Sequence, residues 1–129
     1  MKHEMLIEKR KIIVFVQIKG VNDFREFKFI LDTGSSISLI DEDAVFRLGF
    51  ELKKLKTGDR LMTVGGGMHS KILQLPKLCL LGKDMVNFEV NVLNMPPQIL
   101  YFADGLIGMD FLLNFKSIKF DFEKKIIET

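Results

Sequence analysis

The chain has 129 residues, 47% of them hydrophobic and 28% charged, the balance of one globular domain over residues 1–129 and not of a disordered chain. Its 19 Lys and Arg against 17 Asp and Glu leave a formal charge of +2, too even to point to nucleic acid or an anionic membrane as partner. One cysteine and two histidines exclude an internal disulfide framework and a structural zinc set.

Ile12 to Ile18 is β-branched and aromatic and is bounded by charges and Gly20, which predicts a buried strand. Gly20-Val21-Asn22-Asp23 supplies a turn, and Phe24 to Leu31 resumes with Phe27, Phe29 and Leu31 on one face. The two runs predict a hairpin. Asp32-Thr33-Gly34-Ser35-Ser36 follows as a polar loop, and Ile37 to Ile40 as a short buried strand. Asp41 can cap a helix over Glu42 to Leu48, and Gly49 can end it in the left-handed conformation. Leu61 to Val64 and Met68 to Leu75 flank Gly65-Gly66-Gly67, a hairpin whose tip has no side chains.

Pro76 interrupts the pattern, and Leu78 to Leu81 predicts another strand, with Cys79 as a buried, inert thiol. Val86, Phe88, Val90 and Val92 then alternate with Asn87, Glu89 and Asn91, a strand with one wet face. Beyond Asn94-Met95-Pro96-Pro97 and the apolar run Ile99 to Phe102, Met109 to Phe115 predicts a second helix. Ile118, Phe120 and Phe122 alternate with Lys119 and Asp121 as a strand, on which Lys125 to Glu128 can pair back. Twelve Phe with one Tyr and no Trp point to aromatic residues used for packing. The expected fold is all-β, a small closed barrel of short strands with one or two short helices. No apolar stretch approaches the roughly 20 residues of a membrane span. Met1-Lys2-His3-Glu4 opens no signal peptide, so a cytoplasmic protein is expected.

Asp32 carries the chemistry to be explained. It follows the apolar run Phe27 to Leu31, where a carboxylate must be hydrogen-bonded or neutralised. Gly34 lets the backbone fold beneath it and aim an N–H at it, and Thr33, Ser35 and Ser36 add hydroxyls. Taken alone, the segment also fits a plain Asx-turn between two strands. Its surroundings matter: Asp32-Thr33-Gly34-Ser35 lies between apolar runs, and Leu106-Ile107-Gly108 follows about 70 residues later, after the glycine hairpin.

That order resembles the retropepsin-like aspartic proteases, and the run Gly105 to Leu112 is similar to the form found in cellular and retrotransposon members. The resemblance covers about residues 11 to 123. It implies the small acid-protease barrel, active as a two-fold homodimer, and an endopeptidase that hydrolyses polypeptide with no cofactor and no metal. Asp32 would be catalytic, paired with the Asp32 of a second chain, because two such carboxylates share one proton. One would take a proton from the attacking water while the other, protonated, polarises the scissile carbonyl. Thr33, Gly34 and Ser35 would support the loop, the Ser35 hydroxyl drawing the working pH downward. Leu106, Ile107 and Gly108 would be the scaffold beneath it. Val64, Gly65, Gly66, Gly67 and Met68 would form the flap over the substrate. His69 reads as a surface residue. Retroviral members carry an Asp–Arg ion pair at the positions of Ser36 and Met109, and both halves are missing here. The alternative is a silent member of the same fold that dimerises or binds peptide without turnover.

Overall fold

The computed structural model describes residues 1–58 and 69–129 in full, and residues 59–63 and 66–68 as strand backbone. The predicted hairpin is formed by β3 (Lys11–Lys19) and β4 (Phe24–Leu31), paired antiparallel from Ile13↔Ile30 to Lys19↔Phe24. Before it come two strands the sequence did not suggest, β1 (Lys2–Glu4) and β2 (Leu6–Glu8). After it follow β5 (Leu39–Asp41), helix α1 (Glu42–Arg47), β6 (Lys56–Thr63), β7 (Gly66–Leu80) and β8 (Lys83–Leu93). The chain ends through α2 (Pro97–Leu100), β9 (Gly105–Ile107), α3 (Met109–Leu112), β10 (Lys119–Asp121) and β11 (Ile126–Glu128).

The large sheet runs β2-β3-β4-β9-β5-β8-β7-β6, and β7 pairs back on β3 from Gln17↔Cys79 to Lys19↔Lys77. That extra pairing closes β3, β4, β9, β5, β8 and β7 into a ring, which is the architecture expected of a small barrel. Phe29, Phe111, Ile18, Val16, Leu75, Val90 and Ile107 are fully buried in the main core. Each such side chain contributes roughly 1.5–3 kcal/mol relative to its exposed state. A separate sheet, ordered β1-β11-β10, joins the two ends of the chain, and Ile127 ties it to the main core.

Local chemistry explains most boundaries. Asp41 caps α1, its carboxylate accepting the Asp43 N–H at 3.1 Å, and Gly49 at φ +92° reverses the chain as expected. Pro76 does not interrupt its strand. It lies between the β7 stretch paired with β6 and the stretch paired with β3, where no partner needs its missing N–H. Opposite it on β8, Asn87 takes φ +54° and the ladder skips that pair. A third short helix, α2, adds to the one or two anticipated; Pro97 sits at its first turn, where a missing N–H costs nothing. Cys79 is half-buried, and its thiol is pushed up by burial and by the Asp84 carboxylate, consistent with an inert thiol.

Candidate active site

β4 delivers the chain to Asp32, and the loop over residues 32–38 returns it into β5. β9 is inserted between these two strands, parallel to β4 and antiparallel to β5. The loop at Asp32 therefore hangs from three neighbouring strands instead of projecting from one hairpin.

Each turn of the loop has a partner. The Asp32 N–H donates to the Ile107 carbonyl at 2.9 Å, and the Ser35 N–H donates to the Asp32 carbonyl at 3.2 Å. The Gly34 N–H donates to Asp32 Oδ1 at 2.9 Å, the contact anticipated for that glycine. The other carboxylate oxygen, Oδ2, accepts nothing from the described residues, and Asp32 is half-exposed. Thr33 is exposed, and its hydroxyl has no partner among the described residues. Ser35 departs from expectation: its hydroxyl donates to the Ile37 carbonyl at 2.6 Å, so its proton serves the loop backbone and not the carboxylate.

Ile107 and Gly108 adjoin the loop through the Asp32 N–H and the Ser35 and Ile37 carbonyls. Ile107 is fully buried, and Leu106 packs partly buried between two smaller apolar clusters. A Cβ at Gly108 would clash with the Ile37 carbonyl and come within 2.7 Å of the Ser35 carbonyl, so only glycine lets α3 start this close to the loop. The next residues continue the seam, with the Met109 N–H donating to the Ser35 carbonyl at 2.8 Å and the Asp110 N–H to the Ser36 carbonyl at 3.2 Å. At the two positions where a retroviral ion pair was missing from the sequence, backbone hydrogen bonds join the segments.

Sequence reasoning missed the side-chain clamp in this seam. Ser38 is completely buried; its Oγ donates to Asp110 Oδ1 at 2.7 Å and its N–H to Asp110 Oδ2 at 2.9 Å. The same Ser38 Oγ accepts the Gly108 N–H at 3.0 Å. The signal was present: Ser38 is a polar residue inside the apolar run Ile37 to Ile40, and a buried hydroxyl requires a partner.

Below α1, Arg47 joins Asp43 at 2.9 Å and Asp104 at 2.8 Å and lies over the Phe27 ring at 5.1 Å. These contacts brace the approach to β9. Of the residues expected to form a flap, Gly66, Gly67 and Met68 open β7 and pair with Thr63, Met62 and Leu61 of β6. Val64 and Gly65 lie outside the described residues. His69 is exposed, in line with a surface role. No group of His, Cys, Asp and Glu among the described residues is arranged to hold a metal ion.

The sequence matches the aspartyl protease family over residues 14–111, a span that includes the Asp32 loop, β9 and the start of α3. The chain belongs to the aspartyl protease family. Its fold is retropepsin-like: it is similar to the crystal structure of a retropepsin-like aspartic protease from Rickettsia conorii, with a TM-score of 0.74 and 23% identity over 98% of this chain and 88% of that one. It is also similar to the EIAV protease, solved with the inhibitor HBY-793, with a TM-score of 0.63 and 20% identity over 82% of this chain and 88% of that one. None of the curated proteins matches the sequence. Among the described residues no helix is long and apolar enough to cross a membrane.

Proposed function

We propose that the chain is an aspartic endopeptidase whose active unit is a homodimer with one shared site, each subunit supplying its Asp32. The observation that carries this reading is the Asp32 carboxylate itself. One oxygen is fixed by the Gly34 N–H while the other stays free of partners among the described residues, on a loop sewn to β9 and α3. A general base needs that combination of fixed position and open valence.

The reaction needs a base for the water and a proton donor for the carbonyl, and one carboxyl group cannot be both at once. A second Asp close by forces the pair to keep one proton between them. The chain holds one Asp-Thr-Gly, so the second carboxylate comes from a second copy. The exposed Thr33 hydroxyl, without a partner among the described residues, suits the role of reaching the second copy's loop. Water attacks the scissile carbonyl, the ionised Asp32 takes its proton, and the protonated Asp32 polarises the carbonyl oxygen. Substrate binds as an extended strand under the hairpin of β6 and β7, with Val64 to Met68 as its flap. Activity is bell-shaped with pH and favours acid to weakly acidic conditions, because only the singly protonated pair works. The cytoplasm is the compartment proposed, in keeping with a single thiol and no disulfide.

The test is subunit mixing with Asp32→Asn. The variant alone should fold normally and lose activity by orders of magnitude. After full exchange with an equal amount of wild type, random pairing leaves about one quarter wild-type homodimers and one half mixed dimers. Activity per wild-type chain should then fall to roughly half. Unchanged activity per wild-type chain after proven exchange would refute the shared site.

A further inference from the structure

We propose that the Lys9-Arg10 turn, with Lys11 behind it, selects substrate by charge, favouring polypeptide with acidic residues on either side of the bond to be cut. The proposal rests on the shared-site protease reading and adds the class of substrate which that site takes.

β2 ends at Glu8 and β3 begins at Lys11, so Lys9 and Arg10 alone make the turn between them. Both take positive φ, +45° and +65°. A two-residue hairpin turn of this kind favours Asn, Asp or Gly, because other side chains crowd their own backbone there. The turn between β7 and β8 meets that demand in part, with Leu81 at φ +53° followed by Gly82 at +74°. The Lys9-Arg10 turn has no glycine and holds two long cationic side chains in the strained region. Strain of this sort marks positions whose side chains have a use. Inside the chain they have none: Lys9 and Arg10 are exposed, and neither has an acidic partner among the described residues. Glu8, next to them in the sequence, pairs with Lys28 at 3.8 Å. Lys11 lacks an acidic partner among the described residues too; its Nζ lies 3.5 Å from the Lys9 carbonyl and 4.4 Å from the centre of the Phe102 ring.

The register brings this charge to the Asp32 end of the sheet. β3 and β4 pair antiparallel as far as Ile13↔Ile30. Two residues beyond that pair stand Lys11 on one strand and Asp32 on the other, so the tip projects where β4 gives way to the Asp32 loop. Ile13 and Ile30 share a cluster with Ala103, on the opposite face of β4 from Phe27, Phe29 and Leu31. By alternation Lys11 and Asp32 belong to the face of Ile13 and Ile30. A substrate strand lying across Asp32 therefore runs past the tip. A two-fold dimer presents one tip from each copy, on opposite sides of the scissile bond. A carboxylate in the substrate there meets cations with no acidic partner of their own, and a Lys or Arg meets like charge, so the tips both attract and reject.

Cleavage-site profiling tests the selection. Wild type acting on a mixture of peptides from denatured proteins, read by mass spectrometry, should show Asp and Glu enriched on both sides of the cut. One cleaved peptide is then made in two forms, as found and with Gln in place of its acidic residues. At low ionic strength wild type should favour the acidic form by about fivefold in kcat/KM. Added salt should shrink that preference. Lys9→Asn with Arg10→Gly gives the turn its favoured residues, so this variant should melt no lower than wild type while its preference falls toward one. A turn with only a structural role would keep the preference. So would a turn that joined the two copies, since its loss would slow both peptides alike. Both peptides meet the same enzyme, so the ratio does not depend on how much of it is folded or dimeric. Cleavage without acidic enrichment, or a preference that survives Lys9→Asn with Arg10→Gly, overturns the charge selection and leaves the shared site standing. A wild type that cuts no peptide in the mixture at any pH overturns both.

Discussion

The loop at Asp32 and the terminal sheet lie on either side of α3 in the chain, and they are held in different ways. The loop is fixed by backbone donors from two segments: Asp32 to Ile107, Met109 to Ser35, and Gly108 to the Ser38 hydroxyl. Nothing in that set depends on long, mobile side chains. The terminal sheet consists of strands of three residues each, rich in Lys and Glu, with two open edges. It gains one fully buried side chain, Ile127, and a pair of reciprocal bonds between residues 1 and 129 at 2.9 Å. The Asp32 loop is thus held more firmly than the terminal sheet. Damage to the two regions should therefore look different. Damage to the loop should lower activity in the folded protein, and damage to the terminal sheet should first lower local stability.

The largest expected effect is at Gly108. Its backbone sits at φ −103°, open to any residue, so the cost of a substitution is steric alone. Gly108→Ala drives a methyl group into the Ile37 carbonyl, with the Ser35 carbonyl 2.7 Å away. Neither backbone oxygen can move without dragging the Asp32 loop. We expect a loss of about 3 kcal/mol by denaturant titration. Because misplacing a reacting group by about 1 Å can cost on the order of a hundredfold in rate, activity in the folded fraction should drop by a similar factor. A variant as stable and active as wild type would show that the seam is looser than its contacts indicate.

Ser38→Ala should be milder. It removes the hydroxyl that serves Gly108 N–H and Asp110 Oδ1 together, leaving a buried N–H unpaired, which costs about 1–3 kcal/mol. Asp110 keeps its bonds to the Ser38 N–H and the Phe111 N–H, so the loop should loosen without collapsing. Stability should fall, with kcat affected more than KM, since substrate-facing residues are untouched. An equal loss in Ser38→Ala and in the double variant with Asp110→Asn would mark the two residues as one unit, as a double-mutant cycle reads it.

The same residues show how far the sequence could be read. The contact of the Gly34 N–H with Asp32 was legible because its constraint is local: a carboxylate after an apolar strand, with a glycine where the backbone must fold beneath it. The place of Ile107 and Gly108 was suggested only by the resemblance to a family, since nothing in their own segment points to the Asp32 loop. The barrel was legible for a local reason too, since a period-two run such as Phe88 to Val92 declares its own faces; Val86, expected on the same face, is exposed, because the irregularity at Asn87 breaks the alternation before it. The Ser38–Asp110 clamp joins residues 72 positions apart, and neither side chain announces its partner. β1 was illegible because Lys2-His3-Glu4 has no apolar periodicity and becomes a strand only through pairing with β11. β7 was cut short at Pro76 because a proline normally ends pairing. Only the change of neighbour from β6 to β3 shows why it does not.

The smallest expected effect lies in the terminal sheet and depends on pH. His3 sits in β1 opposite Ile127, with Thr129 Oγ1 at 3.3 Å. Its pKa is held below the ordinary histidine value, first by burial and then by the positive N-terminus. The folded state thus resists a proton that the unfolded chain accepts more readily. Stability associated with His3 is full above the unfolded histidine pKa, near 6.5, and is lost as pH falls through the interval down to the lowered folded value. Because the ring is only partly buried, the loss should be slight and confined to the terminal sheet. Hydrogen exchange of the Ile126 to Glu128 amides should speed up between pH 7 and pH 5, after correction for intrinsic exchange. The amides of Asp32 to Ser38 should show no matching change, and His3→Gln should flatten the pH response of the sheet. Matching acceleration in both regions would mean that the terminal sheet and the Asp32 loop open together, and the contrast between a firmly held loop and a looser terminal sheet would not hold.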